Sequence, residues 1–330
     1  MEGHATPPAP LFAPRYLAGW IGANGTRSLS PAMYDQAFRA LGVAGVQHIL
    51  DWETLPALAE RSEDLAAVLQ MLRTTGWCGS SVTHPFKEMV VPLLDDVDPA
   101  AESMGAVNTV AVREGRLCGF NTDYLGVAAA LREAGSPALD AVAVVGVGGV
   151  ARAVCYALQQ AGASTLRLFD PVPGKAEAAA EAVRSSAAGT TDIVVAADVA
   201  AALAGASGIC QCSPVGMVGH EGMPFAEALL DSTAEGAWLL ECVYTPVETE
   251  LVSTARRRGM QTITGDRCAT PPITPCQCQC QEWPHRVPAV LPSRFSMQAV
   301  EHFLGCLKGS ADNSFCLLVQ AEPSPVPGAV

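Results

Sequence analysis

AVAVVGVGGVARAVCYALQQAGASTLRLFD, residues 141–170, decides the fold. It opens on a near-continuous apolar run of the kind that forms a strand buried on both faces. Gly146-Val147-Gly148-Gly149-Val150-Ala151 follows, with the G-x-G-x-x-A spacing that lets the chain turn tightly and its backbone approach a pyrophosphate. The helix opening there aims free N–H groups and the positive end of its dipole at such an anion. A second strand, TLRLF, ends on Asp170, 24 positions after Gly146. A carboxylate at that place accepts from an adenosine ribose 2′-hydroxyl and repels a 2′-phosphate, which predicts NAD rather than NADP. On this reading Gly146, Val147, Gly148, Gly149, Val150 and Asp170 hold the cofactor.

Outward from that unit the alternation stays regular. The helix runs to Ala161, an Ala-rich helix spans 175–188, and DIVVAAD, GICQCS and AWLLECVY read as further strands. Residues 136–267 are therefore expected to form a doubly wound, Rossmann-type NAD-binding domain. Upstream, residues 17–135 read as an open α/β substrate-binding and catalytic domain with a mostly parallel sheet. YLAGWIGA, VQHILDW and WCGSSVT are its strands; a helix carries Pro31 in its first turn, and another covers residues 63–74. A helix start is expected at His84-Pro85-Phe86-Lys87, a hairpin turn at Glu114-Gly115, and a helix over residues 124–134. Gly135-Ser136-Pro137 is the break between the two domains. Residues 1–16 read as a disordered lead and 310–330 as a disordered tail. The segment 268–294 reads as an irregular insert with six prolines and four cysteines, and 295–309 as a helix returning to the cleft.

The chain has 330 residues, 49% of them hydrophobic and 16% charged, with a net charge of -13. That balance suits globular cores and lacks the basic footprint a nucleic acid requires. No run approaches the ~20 apolar residues that span a bilayer, and the first residues carry neither a basic start nor an apolar core of a signal peptide. Most of the twelve cysteines stand in apolar runs, as buried thiols do, so a cytoplasmic protein is expected. Cys268, Cys276, Cys278, Cys280 and His285 lack the paired spacing of a tetrahedral site, and His48, His84 and His220 lack ligand spacing, so no metal is expected.

A second constellation lies at strand ends and helix starts of the first domain: Thr83, Lys87, Asn108 and Asp123. A lysine beside a carboxylate can move a proton while a hydride leaves or arrives. The pattern alone leaves open a solvated Lys87 and an Asp123 that merely caps its helix.

Seven ordered strings carry a resemblance. They are Ser28-Leu29-Ser30-Pro31, SVTHPFK ending at Lys87, GAVNT around Asn108, Asn121-Thr122-Asp123 with Gly126, GVGGV, VYTPVET from Val243, and Met297-Gln298-Ala299 with Phe303. With them residues 17–267, and a last helix at 295–305, resemble the shikimate/quinate dehydrogenase family. The resemblance implies that Lys87 and Asp123 are the catalytic pair, with Lys87 the proton carrier. It implies that Ser28 and Ser30, helped by Tyr244, take the substrate carboxylate. Thr83, Lys87, Asn108, Asp123 and Gln298 would hold the ring hydroxyls; Ser213, Val243 and Gly265 would line the cofactor. The family's NADP users carry an Asn-Arg-Thr-like stretch where this chain has Phe169-Asp170-Pro171, so the NAD-using type is the nearer match. The implied reaction is hydride transfer between NAD and shikimate or quinate, by a monomer or homodimer with no nucleic-acid or membrane partner. An NADP-dependent biosynthetic enzyme, and a ligand-binding homologue disabled by the insert, are the alternatives. Two local departures are Ser81 in place of Asn, and Gln211-Cys212-Ser213-Pro214 in place of Asn-Ala-Thr-Pro.

Overall fold

The computed structural model describes residues 15–23, 25, 28, 30–40, 44–53, 62–185 and 190–269. Within them are two six-stranded sheets, flanked by helices. The first contains β1 (Arg15–Gly22), β2 (Ala44–Asp51), β3 (Gly79–Val82), β4 (Asp96–Val97), β5 (Thr109–Arg113) and β6 (Arg116–Phe120), in the order β2-β1-β3-β5-β6-β4. β1 is parallel to β2 and β3, whereas β5 is antiparallel to both its neighbours. The expected hairpin joins β5 to β6. Glu114 and Gly115 take φ of 51° and 74°, the two positive values that a two-residue turn matched to strand twist demands.

Helices α1 (Ser30–Ala40), α2 (Ser62–Thr74) and α3 (Pro99–Met104) accompany this sheet. Pro31 stands in the first turn of α1, where a missing N–H costs nothing. The helix start expected at residues 84–87 is absent. Those residues form a chain of turns after a cis His84–Pro85 bond. Only the bond from the Val90 N–H to the Phe86 carbonyl is α-helical there; the Lys87 carbonyl accepts instead from the Val107 N–H at 2.8 Å, which ties the turn to a distant segment and stops the ladder after one rung.

The second sheet holds β7 (Ala141–Val145), β8 (Thr165–Phe169), β9 (Asp192–Val195), β10 (Gly208–Gln211), β11 (Trp238–Glu241) and β12 (Gln261–Ile263), all parallel. Its order, β12-β11-β10-β7-β8-β9, is that of a doubly wound dinucleotide fold. The apolar run of β7 is buried on both faces, as its lack of alternation implies. Val142 and Val144 enter one core with α5 (Gly149–Gln160) and α6 (Lys175–Ser185); Ala143 and Val145 enter the other with α7 (Val199–Leu203) and α8 (Glu250–Arg257).

Helix α4 (Asp123–Glu133) follows the first sheet in the chain, yet Val127, Ala130 and Leu131 pack in the α5 core of the second. The short α9 (Gly265–Ala269) lies on α4: a Cβ on Gly126 would overlap the Cys268 carbonyl, so only glycine admits this approach. The segment expected to be irregular from residue 268 thus begins inside a packed helix. Residues 1–14 and 270–330, with the expected helix at 295–309, lie outside the described residues. Among the described residues no helix is long and apolar enough to cross a membrane.

Candidate active site

The order of the second sheet reverses between β7 and β10, and an open α/β sheet leaves its ligand crevice at such a switch point. Gly146, just past β7, has φ of 82° and lies against Ser213, just past β10. Gly148 caps α5 without any side chain, and nothing stands within 4 Å of where its Cβ would be. The N–H groups of Gly149 and Val150 thereby face room for an anion, those of Ala151 and Arg152 being taken by the Gly148 carbonyl. Asp170, whose side chain is 6% exposed, accepts from the N–H of Val147 and of Val172, each at 3.0 Å, with the Lys175 Nζ at 3.5 Å. The carboxylate assigned to a ribose hydroxyl therefore also braces the glycine turn. Past β11, the Val243 carbonyl rests on Gly265. A cradle of small residues, an uncapped helix start and a carboxylate ending the second strand fit a dinucleotide.

Four groups from the first domain's segments converge beside this turn. Lys87 Nζ donates to Asp123 Oδ2 at 2.5 Å, both side chains being largely buried. Asn108 Nδ2 donates to Asp123 Oδ1 at 2.8 Å and to Thr122 Oγ1 at 3.0 Å. The Asn108 carboxamide oxygen accepts from the Thr122 N–H and from Thr109 Oγ1, fixing which end of the amide faces Asp123. Asn121 takes the Asp123 N–H and donates to the Ala106 carbonyl, so the start of α4 is tied at both ends. A Cβ on Gly149 would lie 3.2 Å from that of Lys87, which puts the lysine stem against the first turn of α5. Arg152 on α5 pairs with Glu88 at 2.8 Å and reaches the Met104 carbonyl, so the segment bearing Lys87 is strapped to the same helix.

Thr83 follows β3, its N–H bound to the Ile21 carbonyl and its carbonyl to the Phe86 N–H. Ser28 and Ser30 lie at the start of α1, with the Ser30 N–H on Ser28 Oγ at 3.2 Å. Tyr244 is 40% exposed; desolvation pushes its hydroxyl above the ordinary tyrosine range, while Lys87 lowers it and Asp123 raises it, which places it electrostatically close to the pair. Gln298 lies outside the described residues. Among the described residues no cluster of His, Cys, Asp or Glu could hold a metal.

The family model of the shikimate dehydrogenase substrate binding domain matches residues 20–110. A shikimate dehydrogenase (NADP(+)) of Pseudarthrobacter chlorophenolicus is 40% identical over 257 residues, 77% of this chain and 85% of that one. The chain belongs to the shikimate/quinate dehydrogenase family. A quinate/shikimate dehydrogenase (NAD(+)) of Corynebacterium efficiens is 39% identical over 258 residues, 77% and 88% of the two chains. Among solved structures, quinate dehydrogenase from Corynebacterium glutamicum in complex with NAD matches with a TM-score of 0.69 at 34% identity, covering 77% of this chain and 89% of that one.

Several residues of this family member escape a reading of motifs. Asp51 ends β2 fully buried and holds the Gly25 N–H at 2.9 Å; Gly25 in turn accepts from the Ser28 N–H. Glu241 ends β11, buried, accepting from the Val243 N–H and Thr249 Oγ1, each at 3.0 Å. Its position at the root of the loop bearing Val243 and Tyr244 is visible only in three dimensions. Desolvation outweighs those bonds and pushes its carboxyl from the ordinary 4.5 up to about 7. A carboxyl raised on folding stabilises the protein while it stays protonated, fully below its unfolded value, and loses that contribution as pH rises through about 7. The full shift is worth about 3 kcal/mol. The parent's Tm should therefore fall between pH 4.5 and 7, and Glu241→Gln should flatten that fall. Melting curves across that range check it; parallel slopes would exclude Glu241 as the cause.

Proposed function

We propose that this protein catalyses reversible hydride transfer between NAD and a ring hydroxyl of shikimate or quinate, giving the 3-dehydro ketone. The observation that carries this is the Lys87–Asp123 pair, 2.5 Å apart, standing against the first turn of the helix that opens at the dinucleotide cradle. Bound NAD supplies the hydride acceptor, and the chain's task is alignment, exclusion of water and handling of one proton. In the oxidation the neutral Lys87 amine takes the hydroxyl proton as the hydride leaves, and in the reverse direction its ammonium returns it; Asp123 holds that ammonium in place and accepts a second ring hydroxyl. Asn108 and Thr83 complete the ring contacts, since hydroxyl and amide groups serve a polyol as donors and acceptors alike. Ser28, Ser30 and Tyr244 meet the carboxylate. Initial rates of the full chain with shikimate and quinate, each with NAD and NADP, test the reading. The expected result is oxidation of at least one acid with NAD; no rate with any pair would leave a ligand-binding homologue.

The preference for NAD rests on Asp170, whose charge would face a 2′-phosphate. Lys175, 3.5 Å from it and half exposed, favours the rival NADP reading, because released from Asp170 it could pair with that phosphate. Asp170→Asn keeps an acceptor for the Val147 N–H and removes the repulsion. It should raise kcat/KM with NADP about tenfold relative to NAD, the worth of one charge-assisted contact. A parent enzyme already faster with NADP would reverse the assignment.

A further inference from the structure

Gln47, on β2, is buried to within 6% of full cover and touches none of the groups so far given a chemical task except Ser30. Its Oε1 accepts from Ser30 Oγ at 2.9 Å. Its Nε2 donates to the Gly19 carbonyl at 3.2 Å and to Ser81 Oγ at 3.0 Å, reaching from β2 across β1 to β3. The Gly19 carbonyl can only accept, so it fixes which end of the amide turns toward Ser30. Ser81 Oγ donates to the same carbonyl at 3.4 Å and is left to accept from Gln47. Both donors and the acceptor of a buried amide are thus used, and among the described residues its bond toward the residues assigned to the substrate is the one with the Ser30 hydroxyl.

We propose that Gln47 is a positioning residue that orients the Ser30 hydroxyl for the substrate carboxylate. The assignment rests on the reading above that Ser28 and Ser30 meet that carboxylate. Ser30 is held twice, by its N–H on Ser28 Oγ and by its hydroxyl on Gln47. Before the acid arrives, the Ser30 proton is parked on a neutral amide oxygen. A carboxylate is the stronger acceptor and draws the proton over by rotation about one bond, without moving the backbone. Ser30 itself is part-buried, but burial of the Gln47 amide keeps water from its oxygen, so the acceptor that orients the hydroxyl stays in place. The device serves binding of the anion and has no part in proton or hydride transfer.

The kinetic signature follows. Gln47→Met keeps the volume and removes all three bonds; it should raise the KM for the acid about tenfold, with kcat and the KM for NAD within about twofold of the parent. Gln47→Glu keeps an acceptor toward Ser30 but adds an anion that competes for its proton and repels the substrate. It should raise the KM for the acid by at least tenfold more than it raises that for the neutral methyl ester of the same acid. Either pattern in a variant that folds, judged by its melting curve, supports the role. A KM unchanged in Gln47→Met, a kcat that falls with KM constant, or equal effects on acid and ester would overturn it. A parent that turns over neither acid overturns this role together with the proposed function, whereas an active parent with indifferent Gln47 variants overturns the role of Gln47 alone.

Discussion

Lys87→Ala is expected to lower kcat by about 10² to 10⁴-fold, the range typical of a positioned proton carrier, and to leave NAD affinity within a few-fold. The geometry separates those two effects. The Lys87 side chain reaches Asp123 at 2.5 Å, while the cradle at residues 146–150 is braced by Asp170 and does not need it. The turn at Lys87 should survive the change, because it is held through the Lys87 carbonyl by Val107. Lys87→Arg should not restore the rate. Guanidinium keeps its proton at every accessible pH, so it cannot act as a base, and its broader head must fit where the stem already lies against Gly149. Steady-state rates with dinucleotide titration decide the matter: a Lys87→Ala enzyme as fast as the parent would remove Lys87 from the chemistry.

How far these features were legible depends on where each residue's partners lie. The strand–turn–helix–strand over residues 141–170 could be read because much of it is local: Val142 and Val144 of β7 find their core on α5, the next element along the chain, and only Ala143 and Val145 wait for the distant α7 and α8. The hairpin at Glu114-Gly115 is local too. Lys87 is the opposite case. Its neighbours in sequence promise a helix, and the Val107 N–H, by taking the Lys87 carbonyl, stops it after one bond. Gln47 gave no signal in the pattern of β2, since its meaning lies in Ser30, Gly19 and Ser81 on three other segments. The glycine in the motif after Asp123 was recognisable as a motif letter, but its cause, the Cys268 carbonyl pressed on Gly126, comes from 142 positions away in the chain. Helix α4 follows the first sheet in sequence and buries its apolar face in the second core, so a break placed at residues 135–137 does not coincide with a break in packing.

Gly146→Ala should be the most damaging small change in the dinucleotide cradle. At φ of 82° an L-residue carries a strain of about 1–2 kcal/mol before any contact is considered. The added methyl would then lie 2.6 Å from Ser213 N and 2.8 Å from Ser213 Cα, which are backbone atoms and cannot swing aside as a side chain would. Relief has to come from parting the ends of β7 and β10. Ser213 is bound there through its N–H to Gln211 Oε1 at 3.0 Å, and Gln211 Nε2 holds the carbonyls of Ser213 and Val215. Moving Ser213 therefore disturbs a buried amide with every bond in use, which adds about 1–3 kcal/mol for any bond left unmade. The other route is to tilt the turn, which pulls the Val147 N–H off Asp170 and turns the α5 N–H groups away from the anion. Either way the cost falls on the crevice, and since 1.4 kcal/mol is a factor of ten, NAD affinity should weaken by about ten- to a hundredfold. Lys87, Asp123 and Asn108 do not touch Ser213, so kcat at saturating NAD should fall far less than kcat/KM for NAD. Calorimetric titration of NAD into Gly146→Ala, with its melting curve, measures both: an affinity equal to the parent's would mean that the cofactor does not rest on this turn.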